Sequence, residues 1–173
     1  TTIINHLLKK HKTLCAAITA TSRAPRAGEV DGVHYHFIPE ARFKEMIADG
    51  KFLEHATVHG NHYGVPIDQV QRQLDAGSNI ILNIDVQGMK SVKSILGERS
   101  ISIFLLPPDL KTWEERLRGR GTDSEEVIRQ RLEEGKRELE QASRFDFTIV
   151  NRDLNEAILE LEMILEREGI LNH

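Results

Sequence analysis

The chain is short of the residues that would place it in several large protein classes. A single cysteine in 173 residues leaves no disulfide framework to brace it. That cysteine, Cys15, stands in the apolar stretch TLCAAI and reads as a small buried hydrophobe, not a catalytic thiol. No apolar run approaches the roughly 20 residues that a membrane-spanning helix needs. There is no internal repeat, low-complexity tract or flexible linker. Basic residues are not in excess: 23 Lys and Arg against 27 Asp and Glu leave a net charge of −4, which argues against general nucleic-acid binding. Nothing reads as a signal peptide, so a cytoplasmic setting is expected. What remains is a chain long enough for one domain with a sizeable core.

The pattern along that chain is α/β. Residues 2–10 predict a helix with Ile3, Ile4, Leu7 and Leu8 on one face, and residues 13–19 a strand. Helices are expected at 40–49, stopped by Gly50, and at 66–76, stopped by Gly77. The short apolar runs IILNID (80–85), SIFLLP (102–107) and FTIV (147–150) suit buried parallel strands. Between them lie expected helices at about 88–96, 109–118 and 123–143, the last with Asp123 as N-cap and Glu126 three residues on. A closing helix over about 153–168 carries Leu154, Ala157, Ile158, Leu161, Ile164 and Leu165 on its apolar face and ends at Gly169. Alternating strands and helices predict a parallel sheet flanked by helices, with ligands at the carboxyl ends of the strands.

The run TSRAPRAGEVDGVHYHF (21–37) is the richest in chemistry. Arg23 and Arg26 stand either side of an Ala-Pro step, and Pro25 holds Ala24 extended, so two guanidinium forks are kept at a set separation. Such forks can hold phosphate bidentately. Two surface arginines in an ordinary loop would look the same from this segment alone.

The wider sequence resembles the guanylate kinases, of the nucleoside monophosphate kinase family. The segments that carry the resemblance are TSRAPRAGEVDGVHYHF, FLEHATVHGNHYG (52–64), IILNIDVQG (80–88), SIFLLPP (102–108), RLRGRGTDSEEVIRQRL (116–132) and FTIVNRDL (147–154), in the family's order and spacing. The resemblance implies an α/β fold: a P-loop nucleoside monophosphate kinase-like parallel sheet with helices, a small acceptor-binding subdomain and a lid. In one domain, the core would span about 1–20, 79–116 and 146–173, the GMP-binding part 21–78 and the lid 117–145. The family opens with a strand and a glycine-rich phosphate loop ending Gly-Lys-Ser/Thr-Thr. Thr1-Thr2-Ile3-Ile4 looks like the residues just after that lysine, so an upstream piece is expected to be missing. That strand lies centrally in the family's sheet, so without it the sheet is expected to be disturbed and ATP binding lost.

The resemblance assigns roles residue by residue. Arg23, Arg26, Tyr35 and Tyr63 would hold the acceptor phosphate; the two tyrosines are the only ones in the chain. Glu54, in FLEHA, would accept from N1–H and the 2-amino group of guanine, which suits a buried carboxylate in need of donors. Thr19 stands where serine is common and keeps the hydroxyl. Asp85 would orient Mg²⁺, usually through water, and Thr1 would be the matching hydroxyl ligand. Arg120 and Arg131 would neutralise the transferred phosphoryl group from the lid, with Arg118 and Arg129 left solvated. Asn151 would contact the adenine of the donor.

Thr19 is one of three acceptor-pocket positions that depart from the family's usual pattern, with Val65 and Asn83 the other two. Val65 replaces a serine or threonine that reads the base, and Asn83 replaces an aspartate. The implied activity is transfer of the ATP γ-phosphoryl group to GMP, with Mg²⁺ as cofactor and GMP and ATP as the partners. A catalytically inactive guanylate-kinase-like binding or scaffold module is the alternative, and a kinase for another nucleoside monophosphate a third. The eight histidines show no complete ligand spacing for zinc.

Overall fold

The computed structural model describes residues 2–58, 60–119 and 124–171. The chain divides into two compact units, one up to Ser100 and one from Ile101. No described helix is long and apolar enough to cross a membrane.

The first unit runs α1 (Thr2–Lys10), β1 (Leu14–Ala16), β2 (Ala20–Thr21), β3 (His36–Phe37), α2 (Glu40–Ala48), β4 (Phe52–Val58), β5 (Asn61–Pro66), α3 (Ile67–Asp75), β6 (Asn79–Ile81) and α4 (Val86–Leu96). The expected first helix forms with its predicted bounds and buries Ile3 and Leu7. β1 and β6 pair in parallel, Cys15 opposite Ile80. Both strands are shorter than their apolar runs suggest. The last bond of this ladder is Ala17 N–H to the Ile81 carbonyl at 3.5 Å, after which residues 82–85 pair with no strand among the described residues and Asp85 caps α4.

Residues 20–66 hold a four-stranded sheet of order β3-β2-β5-β4 that no apolar run announced. Only β2–β3 is parallel; β4 and β5 form a hairpin in which Val58 pairs with Asn61. Gly60, between the two strands, has φ 77°, a left-handed value that glycine adopts without strain. A bulge between Phe52 and Glu54 sets the faces of this hairpin. One face carries Phe52, which stacks on the fully buried Phe43 of α2 at 4.3 Å. The other carries Val65, packed with Leu53, Val70 of α3 and Val92 of α4. Side chains along a strand alternate in face. Thr21, Tyr63, Val65, Glu54 and Ala56 therefore share this second face through the pairs Thr21–Tyr63, Ala56–Tyr63 and Glu54–Val65.

The second unit runs β7 (Ile103–Leu106), α5 (Leu110–Arg118), α6 (Glu125–Leu139), β8 (Phe147–Val150) and α7 (Leu154–Arg167). β7 and β8 pair in parallel from Ile103–Phe147 to Leu106–Val150. β1–β6 and β7–β8 are thus two separate two-stranded parallel ladders, and the third parallel pair, β2–β3, lies in the four-stranded sheet. Ser124, not the expected Asp123, is the N-cap of α6: its hydroxyl accepts from Val127 N–H at 3.4 Å. Asp123 itself lies outside the described residues. α7 buries Ala157, Ile158, Leu161 and Leu165 of the expected face. Trp113 of α5 lies directly over Gly135 of α6, where a Cβ would fall 1.4 Å from its ring.

Candidate active site

Arg23 leaves β2 in a position fixed before any ligand arrives. Its backbone N–H donates to the Thr21 hydroxyl at 3.2 Å. Its guanidinium donates bidentately to Glu29, Nη1 to Oε2 at 3.0 Å and Nη2 to Oε1 at 2.8 Å, and Nη1 also donates to the Ala24 carbonyl at 2.7 Å. The plane lies over Tyr35, 5.6 Å from its centroid, and Phe37, at 5.9 Å. Tyr63 meets Tyr35 edge-on at 6.1 Å. The sequence-predicted Arg23, Tyr35 and Tyr63 therefore form one cluster. The Glu29 pair, and to a lesser degree the Tyr63 hydroxyl, raise the Arg23 pKa further. Arg23 in turn holds the Glu29 carboxyl at about 2, so the pair stays ionised across neutral and mildly acid pH. Arg26 joins through its backbone, whose N–H donates to Glu29 Oε2 at 2.6 Å; its side chain is exposed. The Thr19 carbonyl accepts from His36 N–H at 3.0 Å, which ties the entry of this loop to β3.

Glu54 lies on the same hairpin face as Tyr63, one diagonal step along it, a Cα separation of roughly 7–8 Å. Burial first, and the charge of Asp85 second, push its pKa up. Asp85 caps α4 by accepting from Gly88 N–H at 2.7 Å. Gly88 is what lets the two carboxylates approach this helix end. A Cβ there would fall 2.9 Å from Ile84 Cβ, 3.3 Å from Glu54 Oε2 and 3.5 Å from Asp85 Oδ1. Gly88→Ala is accordingly expected to displace the Glu54 carboxylate; if Glu54 holds guanine, as the resemblance implies, GMP binding weakens about tenfold, since small misplacements of a binding group cost that much or more, and a titration of the variant checks it. Asn83 is exposed, two residues before Asp85. Val65, opposite Glu54, is 3% exposed and works as core.

The raised Glu54 pKa has a sign that can be measured. If Glu54 takes the two N–H donors of guanine, the role the resemblance implies, it must be ionised to do so. Affinity for guanosine, which has no titrating phosphate, is therefore expected to fall as pH drops through that raised pKa, at higher pH than for an ordinary glutamate. The fold responds in the opposite sense: a raised carboxyl pKa favours the protonated folded state, so acidification relieves strain at this position. A guanosine affinity flat down to the ordinary carboxylate range would contradict the assignment.

In the second unit, Arg118 donates to Glu114 at 2.8 Å and to Glu125, and these pairs raise its pKa, Glu125 first. Its donors are committed to carboxylates. Arg129 and Arg131 are exposed on α6. Asn151 follows β8, held by its N–H to the Leu106 carbonyl at 2.7 Å. Arg116 fixes the same turn, donating to the Asn151 carbonyl at 2.9 Å and the Arg152 carbonyl at 3.1 Å. Thr1 and Arg120 lie outside the described residues. Sequence reasoning missed Glu29, Phe37, Gly88 and Arg116. Only Glu29 left a signal, a carboxylate three residues after Arg26 across a glycine turn.

The family model described as guanylate kinase matches residues 1–168. A guanylate kinase of Neisseria gonorrhoeae is 46% identical over 157 residues, covering 91% of this chain and 76% of that protein. One from Nostoc sp. is 42% identical over 164 residues, covering 95% of this chain and 82% of its own. A crystal structure of guanylate kinase from Anaplasma phagocytophilum superposes with a TM-score of 0.76 at 30% identity, covering 99% of this chain and 82% of that one. The relatives named here are guanylate kinases, and the chain shares with one of them its α/β fold. The chain belongs to the guanylate kinase family.

Proposed function

We propose that the intact protein moves the γ-phosphoryl group of ATP to GMP, giving ADP and GDP, in cytoplasmic purine nucleotide metabolism. One observation carries this reading. A single sheet face presents a half-buried acceptor carboxylate, Glu54, one diagonal step from an assembled Arg23–Tyr35–Tyr63 cluster. A nucleoside monophosphate can bridge that spacing, with guanine's two donors on Glu54 and its phosphate on Arg23, Arg26, Tyr35 and Tyr63. Thr19 and Asn83 border the acceptor on this reading. Residues 21–78 would hold the acceptor and 117–145 would form the lid.

An acceptor phosphate oxygen attacks the γ-phosphorus as the bond to the β–γ bridging oxygen breaks. The acceptor is already an anion, so no general base is required, and positioning supplies most of the rate. Arg120 and Arg131 would meet the charge spread over the transferred oxygens. Asn151, its turn fixed by Arg116, would contact the adenine. Asp85 suits a hard cation: it offers carboxylate oxygens at an exposed helix end beside the acceptor carboxylate. Among the described residues no group of three or more His, Cys, Asp or Glu is placed to hold a metal, so a cation here would complete its shell with water and phosphate oxygens, as Mg²⁺ does. Thr1 would be its second protein ligand. When bound, Mg²⁺ would neutralise the phosphates of the donor.

A phosphotransfer assay of the full-length protein against GMP, AMP, CMP and UMP tests the reading. GMP is expected to lead by roughly 10²-fold or more in kcat/KM. Equal turnover of another acceptor would overturn the guanine assignment. No turnover with any of them would leave a binding module.

A further inference from the structure

We propose that Glu29 is a positioning residue for the acceptor phosphate, one that holds Arg23 and the Arg26 backbone in the geometry of the bound state before the nucleotide enters. The proposal rests on the acceptor reading above.

Glu29 closes a turn in which its N–H donates to the Arg26 carbonyl at 3.0 Å. Gly28, third in that turn, has φ 84°, the left-handed value a type II turn demands. The turn folds the Glu29 side chain back over its own start. There Oε2 accepts from both Arg23 Nη1 and Arg26 N–H while Oε1 accepts from Arg23 Nη2. One carboxylate thus ties together the two arginines whose spacing defines the grip. Both side chains of the pair are largely buried, at 14% and 19% exposed.

Which edge of Arg23 is used decides between positioning and obstruction. Both Nη1 hydrogens are taken, one by Ala24 and one by Glu29, and Nη2 gives one hydrogen to Glu29. The edge made by Nε and the other Nη2 hydrogen is the one these bonds leave, and the Tyr63 hydroxyl is a further hydrogen-bond partner of the same guanidinium. A guanidinium can donate to a carboxylate from one edge and to a phosphate from the other. Glu29 therefore clamps the far edge and leaves the near one aimed. Removing rotamer freedom from a long side chain before binding raises affinity without any new contact to the ligand.

Glu29→Gln keeps an oxygen for Arg26 N–H and replaces the second oxygen with a donor that cannot face the Arg23 fork. Titrations of the full-length wild type and of this variant with GMP and with guanosine test the proposal. GMP affinity is expected to fall about tenfold, or about 1.4 kcal/mol, with guanosine affinity unchanged. In an Arg23→Ala background the Glu29→Gln effect is expected to vanish, because the clamp then has nothing to hold. If Glu29→Gln weakens guanosine as much as GMP, the residue is merely structural and the proposal falls. Tighter GMP binding by the variant would mean that Glu29 competes with phosphate, and would also overturn it. A wild type that binds GMP no better than guanosine would sink the phosphate-grip reading itself; a wild-type preference that Glu29→Gln retains would sink this proposal alone.

Discussion

Glu54→Gln is expected to lower kcat/KM for GMP by roughly 10²–10³-fold while the melting temperature holds or rises. The two effects have one cause. The Glu54 carboxylate is partly withdrawn from water beside Asp85, and both circumstances disfavour its charge. That unfavourable charge is repaid when guanine brings two N–H donors to it. Glutamine has the same volume and avoids the desolvation, so the free protein loses nothing. Its amide, however, presents a donor where the base also presents one, and a donor left unpaired in a closed site costs about 1–3 kcal/mol, more where the lost partner was charged. Steady-state kinetics and thermal unfolding of the same preparation separate the two effects. A variant that loses activity only in proportion to lost stability would contradict the role given to Glu54.

Gly135→Ala is expected to destabilise the second unit by about 2 kcal/mol or more, against the usual sign for this substitution. In an exposed helix interior, alanine for glycine gains about 1 kcal/mol. Here the added carbon would sit 1.4 Å from Trp113 Cη2 and 2.4 Å from two further ring atoms, so the ring or the helix pair must move. Overpacking of that kind typically costs about 1–3 kcal/mol and decides the sign. Trp113 is the chain's only tryptophan, so its fluorescence reports on this contact directly. A blue- or red-shifted emission with a melting point lower by roughly 5 °C or more is the expected result. Trp113→Leu in the same chain is expected to recover part of the loss. An unshifted or higher melting point in Gly135→Ala would show that α5 and α6 do not meet in this way.

Elements with strong helical periodicity were legible from sequence. α1 has its predicted bounds, and α7 begins and ends within a residue or so of them, because cap, apolar face and stop agree: Asp153 accepts from Asn155 and Glu156 N–H, and Gly169 follows with φ 71°. Among the parallel strands β8 has its predicted bounds, while β1, β6 and β7 were legible in place but not in length. Apolar character continues through Leu82 and Ile84 into the core, whereas the strand ends where its ladder partner ends. The β4–β5 hairpin escaped notice because its bulge breaks the two-residue alternation that marks a strand, placing Leu53 and Val65 in one core cluster. At the α6 start, Asp123 and Ser124 are both good cap residue types, and sequence does not separate adjacent choices of that kind.

The site divides in the same way. Arg23, Tyr35 and Tyr63 carry their chemistry in their residue types and come together as expected. The role of Glu29 depends on a turn that reverses the chain, and that of Gly88 on a helix packed against a strand 34 positions earlier in sequence. Neither arrangement has a periodic signature, and a glycine selected for the space beside it looks like any other glycine in a helix.

The most direct test of the central claim is a calorimetric titration of the full-length protein with GMP and, in parallel, AMP. Saturable binding of GMP with AMP weaker by roughly 10²-fold is the expected result, since AMP carries the same phosphate for Arg23 but offers Glu54 no matching pair of donors. Equal binding of the two would show a phosphate grip without a guanine reader. No binding of either would contradict the acceptor site altogether.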